Sequence, residues 1–338
     1  MRLALASEGI AEALGLALGV VPSELIYCSF GPGYGRSIVA AARLGVFDAL
    51  GDEALDADEL AARTGCDPLG LTVLCNALVG FRVLVKDGER WRHTKAGRTR
   101  LVAGREGSLI DAVLFMGYVQ EWLHELEDAV RTGQVVRVHD REHPPEFWGS
   151  YLRALAAFAN LAGAEIVRRV RMKPAPTRLL DVGGGHGVYS RLLCERYEGC
   201  EATVFDLPPA CEAGRAITDH PRVRFREGDF RDGDWGGPYD AVLVFNVTHN
   251  ATADEVQGLF ASAFAALEPG GALWICDAAH RGRLGAAEGW NELFFFTISG
   301  ARAWPEATLR QWAEAAGFRY EGLTRLMTAP NVLLRFRR

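Results

Sequence analysis

The sequence predicts an α/β protein: a helical N-terminal part followed by a doubly wound, mostly parallel sheet. Three observations predict it. Beyond Pro174, short apolar segments alternate with helical ones, the order in which parallel strands and crossover helices follow each other. The segment LLDV runs into glycines at alternate positions, Gly183, Gly185 and Gly187, and then into a helix. Between about 35 and 105, three helical segments and a hairpin follow in the order of a winged helix. The length of 338 residues exceeds one typical domain, so more than one is expected.

Taken in order, residues 1–21 place Leu3, Ile10, Leu14 and Leu18 at helical spacing. Glu8 and Glu12 interrupt the apolar run and no clean cleavage site closes it, so an amphipathic helix is expected rather than a secretion signal. It is expected to interleave with a partner subunit. SIVAAARLGVFDAL reads as one helix ended by Gly51. LDADELAARTG has Asp56 as N-cap, Glu59 three residues on as in a capping box, and Gly65 as its stop. A third helix starts at Asp67, and VLVKDGERWRHT reads as a hairpin turned on Asp87-Gly88. The third helix offers Leu69, Leu71, Val73, Leu74, Leu78 and Val79, with almost nothing to hydrogen-bond a base edge. It is expected to be buried, which favours dimerisation or support over DNA reading.

Residues 106–172 are expected to form a helical connector rich in large side chains. His139 and His143 lie between its helices, but Arg137, Asp140, Arg141 and Pro144-Pro145 predict a solvated loop there and no metal. Within 173–338, RLLDV, ATVFDL, VRFREGD, DAVLVFNV and ALWICDA are strand candidates. RYEGLTRLM and NVLLRFRR, separated by Thr328-Ala329-Pro330, close the sheet as an antiparallel pair, giving seven strands.

Composition narrows the function. A net charge of −6 argues against a nucleic-acid partner, since phosphate binding needs a basic face. Seven scattered cysteines form no C-x-x-C pair, so neither a zinc site nor a disulfide framework is indicated and a reducing cytoplasm is expected. No run reaches the roughly 20 apolar residues of a membrane span.

The glycine segment carries the strongest local signal. Glycine permits a tight turn and close approach of a ligand, and the helix start offers free N–H groups. Val188 stands where a dinucleotide fingerprint would have its last glycine, which weakens a nicotinamide or flavin reading. Asp206 ends the second strand, where an acid is placed to accept from ribose hydroxyls; helix capping ahead of Pro208-Pro209 is its structural alternative. After the third strand, the Asp229 carboxylate and Phe230 ring could meet the edge and face of an adenine. With Asp181 these residues describe a nucleoside-shaped crevice.

From about residue 35 onward the chain resembles the plant-type and bacterial small-molecule O-methyltransferases, the family of caffeate, acetylserotonin and hydroxyneurosporene methyltransferases. The resemblance rests on AAARLGVFDAL, ELAARTG, the glycine loop at Asp181–Gly187, VFDLP, the GDF turn, LEPGG and AEAAGF. It implies a Rossmann-like methyltransferase domain, S-adenosylmethionine as cofactor with S-adenosylhomocysteine as product, and a homodimer built through the winged helices. It also implies a small-molecule acceptor pocket lined by the middle helices. Leu207 and Asn246 complete the implied cofactor set.

The resemblance places the general base at His249, just past the fourth strand, and an orienting acid at Asp277. A His near neutral pKa suits removal of a hydroxyl proton; the alternative is a loop His that caps a helix or faces water. The acidic stretch expected close behind the base trails to Asp254-Glu255. A second acid is expected where this chain has Ala303, which leaves transfer to sulfur or carbon by proximity, or a cofactor-retaining non-transferase, as alternatives. Met116, Trp122, Phe147, Trp148, Asn291 and Phe295 are the expected lining of an apolar acceptor pocket.

Overall fold

The computed structural model describes residues 22–144, 146–280, 285–327 and 331–338, with Gly9, Leu14, Gly15 and 18–20 before them. The amphipathic helix expected over 1–21 and the turn at Thr328-Ala329-Pro330 therefore lie mostly or wholly outside the described residues. The chain divides into two compact units, Arg2–Gln120 and Glu121–Arg338.

The N-terminal unit contains α1 (Ser23–Arg43), α2 (Val46–Leu50), α3 (Ala57–Thr64) and α4 (Pro68–Gly80). The hairpin β1 (Leu84–Asp87) and β2 (Arg90–His93) follows, then α5 (Lys95–Arg100) and most of α6 (Ile110–Trp122). The single helix expected over SIVAAARLGVFDAL is two, because Gly45 takes the left-handed φ of 71° and breaks α1 from α2. The capping box of α3 forms as expected, with Glu59 N donating to Asp56 and Asp56 N to Glu59. The hairpin turns over Gly88 and Glu89, one residue later than expected, with Asp87 paired to Arg90. Nor is α4 wholly buried: Leu71, Cys75 and Leu78 face the core, whereas Leu69 is 72% and Val73 62% exposed. An all-apolar helix with one core has one dry face only.

The C-terminal unit is built on a seven-stranded sheet. Its strands are β3 (Arg178–Val182), β4 (Glu201–Asp206), β5 (Val223–Glu227), β6 (Tyr239–Phe245), β7 (Leu267–Asp277), β8 (Arg319–Arg325) and β9 (Val332–Arg337), in the order β5-β4-β3-β6-β7-β9-β8. The first five are parallel, and β9 pairs antiparallel with both β7 and β8, as the sequence predicted. Helices cover both faces, so alternate residues of one strand enter different cores. On β6, Val242 and Val244 join one core with Val256, Leu259 and Phe260 of α11 (Ala253–Ala266). Ala241, Leu243 and Phe245 join the other with Ala159, Ala162 and Ile166 of α8 (Glu146–Arg169). Such double burial is what lets these strands be apolar without a break.

The remaining helices of this unit are α7 (Leu126–Thr132), α9 (Val188–Arg196), α10 (Pro208–Ile217), α12 (Ala286–Ser299) and α13 (Glu306–Ala315). From β3 the chain moves outward to β4 and β5, then returns to place β6 on the other side of β3. Strand order reverses there, and the carboxyl ends of β3 and β6 flank the crevice that such a reversal opens. Among the described residues, no helix is long and apolar enough to cross a membrane.

Candidate active site

Two groups of side chains meet the crevice. The first hangs on the glycine loop after β3. Gly183, Gly185 and Gly187 all have positive φ, 65°, 39° and 68°, so the alternate glycines answer a backbone need. A Cβ on Gly184 would lie 2.5 Å from Cγ of Asp181, so the loop is folded tightly over that carboxylate. Asp181 is buried; Ser190 Oγ donates to its Oδ2 at 2.7 Å, and its Oδ1 has no partner among the described residues. Burial, opposed by the Ser190 hydrogen bond, pushes its pKa up to about 7.

Asp206, at the end of β4, reaches across to the same loop. Its Oδ2 accepts from Gly185 N at 2.8 Å and its Oδ1 from Leu207 N at 2.7 Å. Burial raises its pKa to about 6 against these two hydrogen bonds. Leu207 contributes through its amide and starts α10. Asn246, at the end of β6, holds a left-handed φ of 58°; its N donates to Cys276 O, and its Oδ1 accepts from Asn331 at 2.7 Å.

Both oxygens of Asp229 accept from Arg231, and the Phe230 ring is packed half-buried on the core beside the sheet. Arg231 also pairs with Asp140 at 3.2 Å and Glu255 at 3.8 Å. Burial would raise the Asp229 pKa, but Arg231 outweighs it and holds the carboxyl below the usual range. Glu255, in the acidic stretch that trails behind the base, closes a capping box with Thr252 at the start of α11.

The second group sits beyond β6. His249 lies in a short 3-10 turn, Thr248–Asn250, with Nδ1 2.5 Å from Asp277 Oδ1. Asp277, at the end of β7, is fully buried. Its Oδ2 accepts from Thr248 N at 2.8 Å and Thr248 Oγ1 at 2.7 Å, and its Oδ1 from Ala278 N at 2.7 Å. Burial alone would raise the Asp277 pKa; the charge and hydrogen bond of His249, with those from Thr248 and Ala278, outweigh it and keep the carboxyl ionised. The imidazole stacks on Phe295 of α12, centroids 3.7 Å apart and planes at 17°. Its Nε2 has no hydrogen-bond partner among the described residues. Trp304 Nε1 donates to Thr248 O at 2.9 Å and helps fix the turn.

Of the expected lining, Phe295 reaches the base, but Phe147 is 1% exposed and sits inside an aromatic cluster. His143 stacks on it at 3.7 Å, and Tyr151 and Trp148 pack around it. Arg137, Asp140, Arg141 and Glu142 are exposed as expected of a solvated loop, but the two imidazoles turn inward and are half-buried: His139 Nε2 is 3.1 Å from Tyr151 Oη, and His143 Nε2 is 2.6 Å from Val138 O. Among the described residues, no group of three or more His, Cys, Asp or Glu could hold a metal ion. Trp122 is buried near Phe147, with centroids 6.3 Å apart, and Asn291 and Trp148 are half-buried. Met116 belongs to the N-terminal unit. Ala303 is buried, and the neighbouring Arg302 pairs with Glu292 at 2.6 Å. Tyr151 was not singled out from sequence. Its signal was the stripe Phe147, Trp148 and Tyr151 along one helix.

Comparison with known proteins adds to this geometry. A family model of the O-methyltransferase domain matches residues 119–319, and one of the O-methyltransferase dimerisation domain matches 34–103. Acetylserotonin O-methyltransferase of Bos taurus is 28% identical over 264 residues, covering 71% of this chain and 75% of its own length. The 3-hydroxy-5-methyl-1-naphthoate 3-O-methyltransferase of Streptomyces sahachiroi is 28% identical over 72% of this chain and 73% of its own. Human N-acetylserotonin methyltransferase, crystallised in complex with SAM, superposes with a TM-score of 0.83 over 99% of both chains. At 21% identity, that likeness speaks to the fold.

Proposed function

This chain belongs to the O-methyltransferase family, and from that premise we propose that it methylates a hydroxyl of a small organic acceptor, with S-adenosylmethionine as cofactor and His249 as general base. The observation that carries the reading is the buried His249–Asp277 pair beside the glycine loop.

The glycine loop suits the cofactor. Asp206 presents a half-buried carboxylate whose lone pairs exceed the two backbone donors it already accepts, as a ribose requires. Asp181 adds a buried oxygen without a partner among the described residues. Asp206, ionised above about pH 6, supplies negative potential for a cation. Gly183, Gly185, Gly187, Asp206 and Leu207 would hold the cofactor, with Asn246 on the β6 side; Asp229 would take part only by sharing its oxygens with Arg231. Bound there, S-adenosylmethionine supplies a methyl group on a cationic sulfur, open to in-line displacement.

The rest falls to the chain's own side chains. Asp277 accepts at His249 Nδ1 and so fixes the tautomer with the basic lone pair on Nε2. That nitrogen takes the acceptor's hydroxyl proton, and the ionised Asp277 stabilises the imidazolium that results. Phe295 holds the ring plane by stacking. Trp148 and the rings around it favour an aromatic or otherwise apolar acceptor. His249→Ala is expected to lower turnover by about 10²-fold or more while S-adenosylhomocysteine binding, read by calorimetry, stays unchanged. Near-normal turnover would instead mean transfer by proximity alone.

The homodimer belongs to the same reading. Residues 34–103 carry the dimerisation-domain match, and Leu25, Phe30, Leu44, Leu69 and Val73 are exposed apolar side chains of this unit that suit a second copy. Sedimentation equilibrium should give twice the chain mass, and a monomer at micromolar concentration would refute it. Seven free thiols fit a reducing compartment such as the cytoplasm.

A further inference from the structure

Two imidazoles of the C-terminal unit are each fixed through one nitrogen and open through the other. His249 is fixed at Nδ1 by Asp277. His139 is fixed at Nε2 by the Tyr151 hydroxyl, 3.1 Å away, and its Nδ1 has no hydrogen-bond partner among the described residues. The ring of His139 is half-buried beside Trp148 and Tyr151, with centroids 6.2 and 5.9 Å away.

The segment carrying His139 is anchored from several sides. Val136 N donates to Thr297 O at 3.0 Å, on the same helix whose Phe295 stacks on His249. His143 binds Val138 O and stacks on Phe147, and Asp140 pairs with Arg231. Burial, and after it the neighbouring His249, push the His139 pKa down to about 4. At neutral pH it is an uncharged imidazole, offering one donor or one acceptor at the open nitrogen.

We propose that His139 is a positioning residue for the acceptor: it hydrogen-bonds a second oxygen of the molecule whose hydroxyl rests on His249, and the acceptor therefore carries two polar oxygens on an apolar frame. The proposal rests on the reading of His249 as base given above. The two imidazoles divide the work. The one backed by a buried carboxylate takes a proton; the one backed by a phenol stays neutral and holds. An acceptor with a single oxygen leaves His139 Nδ1 unmet in a partly dry site, and such a loss discriminates between ligands that are otherwise alike.

The test uses the full chain loaded with S-adenosylhomocysteine and two probes, a monohydroxy naphthalene and its analogue bearing a neighbouring hydroxyl or carbonyl. Binding is read by quenching of tryptophan fluorescence. Wild type should bind the two-oxygen probe about five- to tenfold more tightly, as one hydrogen bond allows. His139→Phe should abolish that preference and leave the one-oxygen probe unaffected; His139→Gln, which keeps a polar end, should restore part of it. Equal binding of both probes by wild type, no binding of either included, overturns the proposal. So does a His139→Phe variant that keeps the preference. Should that variant not fold, the wild-type comparison decides alone. Failure of the underlying reading looks different: no affinity for S-adenosylhomocysteine, or undiminished turnover in His249→Ala.

Discussion

The glycine loop after β3 and the His249 corner after β6 stand at the ends of neighbouring strands, and they differ in how much side chain joins the backbone in building them. At the loop, the polar partners are mostly backbone amides: Gly185 and Leu207 on Asp206, with Ser190 alone adding a side chain on Asp181. At the corner, side chains join the backbone amides of Thr248 and Ala278 on Asp277: His249 and the Thr248 hydroxyl on the same carboxylate, Phe295 against the ring, and Tyr151 against His139. A grip made from backbone serves any member of a fold that uses the same cofactor. A corner made from side chains can be changed one residue at a time, which is where selectivity for an acceptor can differ between relatives.

That contrast can be broken most forcefully at Asp277. Asp277→Asn should lower turnover by about 10²- to 10⁴-fold through the wrong imidazole tautomer, with S-adenosylhomocysteine affinity unchanged by calorimetry. The loss should be the same across neutral and mildly acid pH. The Asp277 carboxyl is held below its ordinary 3.8, so its contribution is present above that value and is lost only as pH falls below it. An Asn variant that also loses the cofactor would erase the division between the two ends.

A smaller effect sharpens it from the cofactor side. The Asp206 pKa is raised from 3.8 to about 6, so the folded state takes up its proton first as pH falls. A raised acid contributes stability that is complete below 3.8 and lost as pH rises through about 6, so its charge at neutral pH costs stability. Ligand binding should run the other way, because an ionised carboxylate is the better acceptor. Affinity for S-adenosylhomocysteine should fall by about tenfold per unit below the folded pKa, and Asp206→Asn should abolish that dependence. A profile in wild type that stays flat from neutral pH down would remove Asp206 from the grip.

What was legible in the sequence follows the same division. Alternate glycines, a strand-ending acid and apolar runs flanked by helices are local signals, and the loop, Asp206 and the parallel strands form as the sequence predicted. The antiparallel close was legible too, because strand-like periodicity returns with no helix between its two segments. Other features depend on what lies across the fold. Gly45 could equally have sat inside a helix, and only packing decides that it breaks one. Leu69 and Val73 are exposed in this chain, because apolar character alone does not say which side of a helix meets its own core. Arg231 binds both oxygens of Asp229, a pairing that no local spacing announces. That His139 turns inward from an otherwise exposed loop was not legible, because Tyr151, its partner, lies beyond a pair of prolines on the following helix.

The strand order has a consequence for how the molecule comes together. β9 lies between β7 and β8, so β8 has no neighbour in the sheet other than a strand that follows it in the chain. While the chain is being synthesised, β3 to β7 can pair as they emerge, but the edge of β7 stays open until Val332–Arg337 has been made. That edge carries Asp277 at its end, opposite Val332. The carboxylate that orients the imidazole thus reaches its final surroundings only in the closing step of assembly, and a nascent chain halted before β9 would expose an apolar strand to its neighbours.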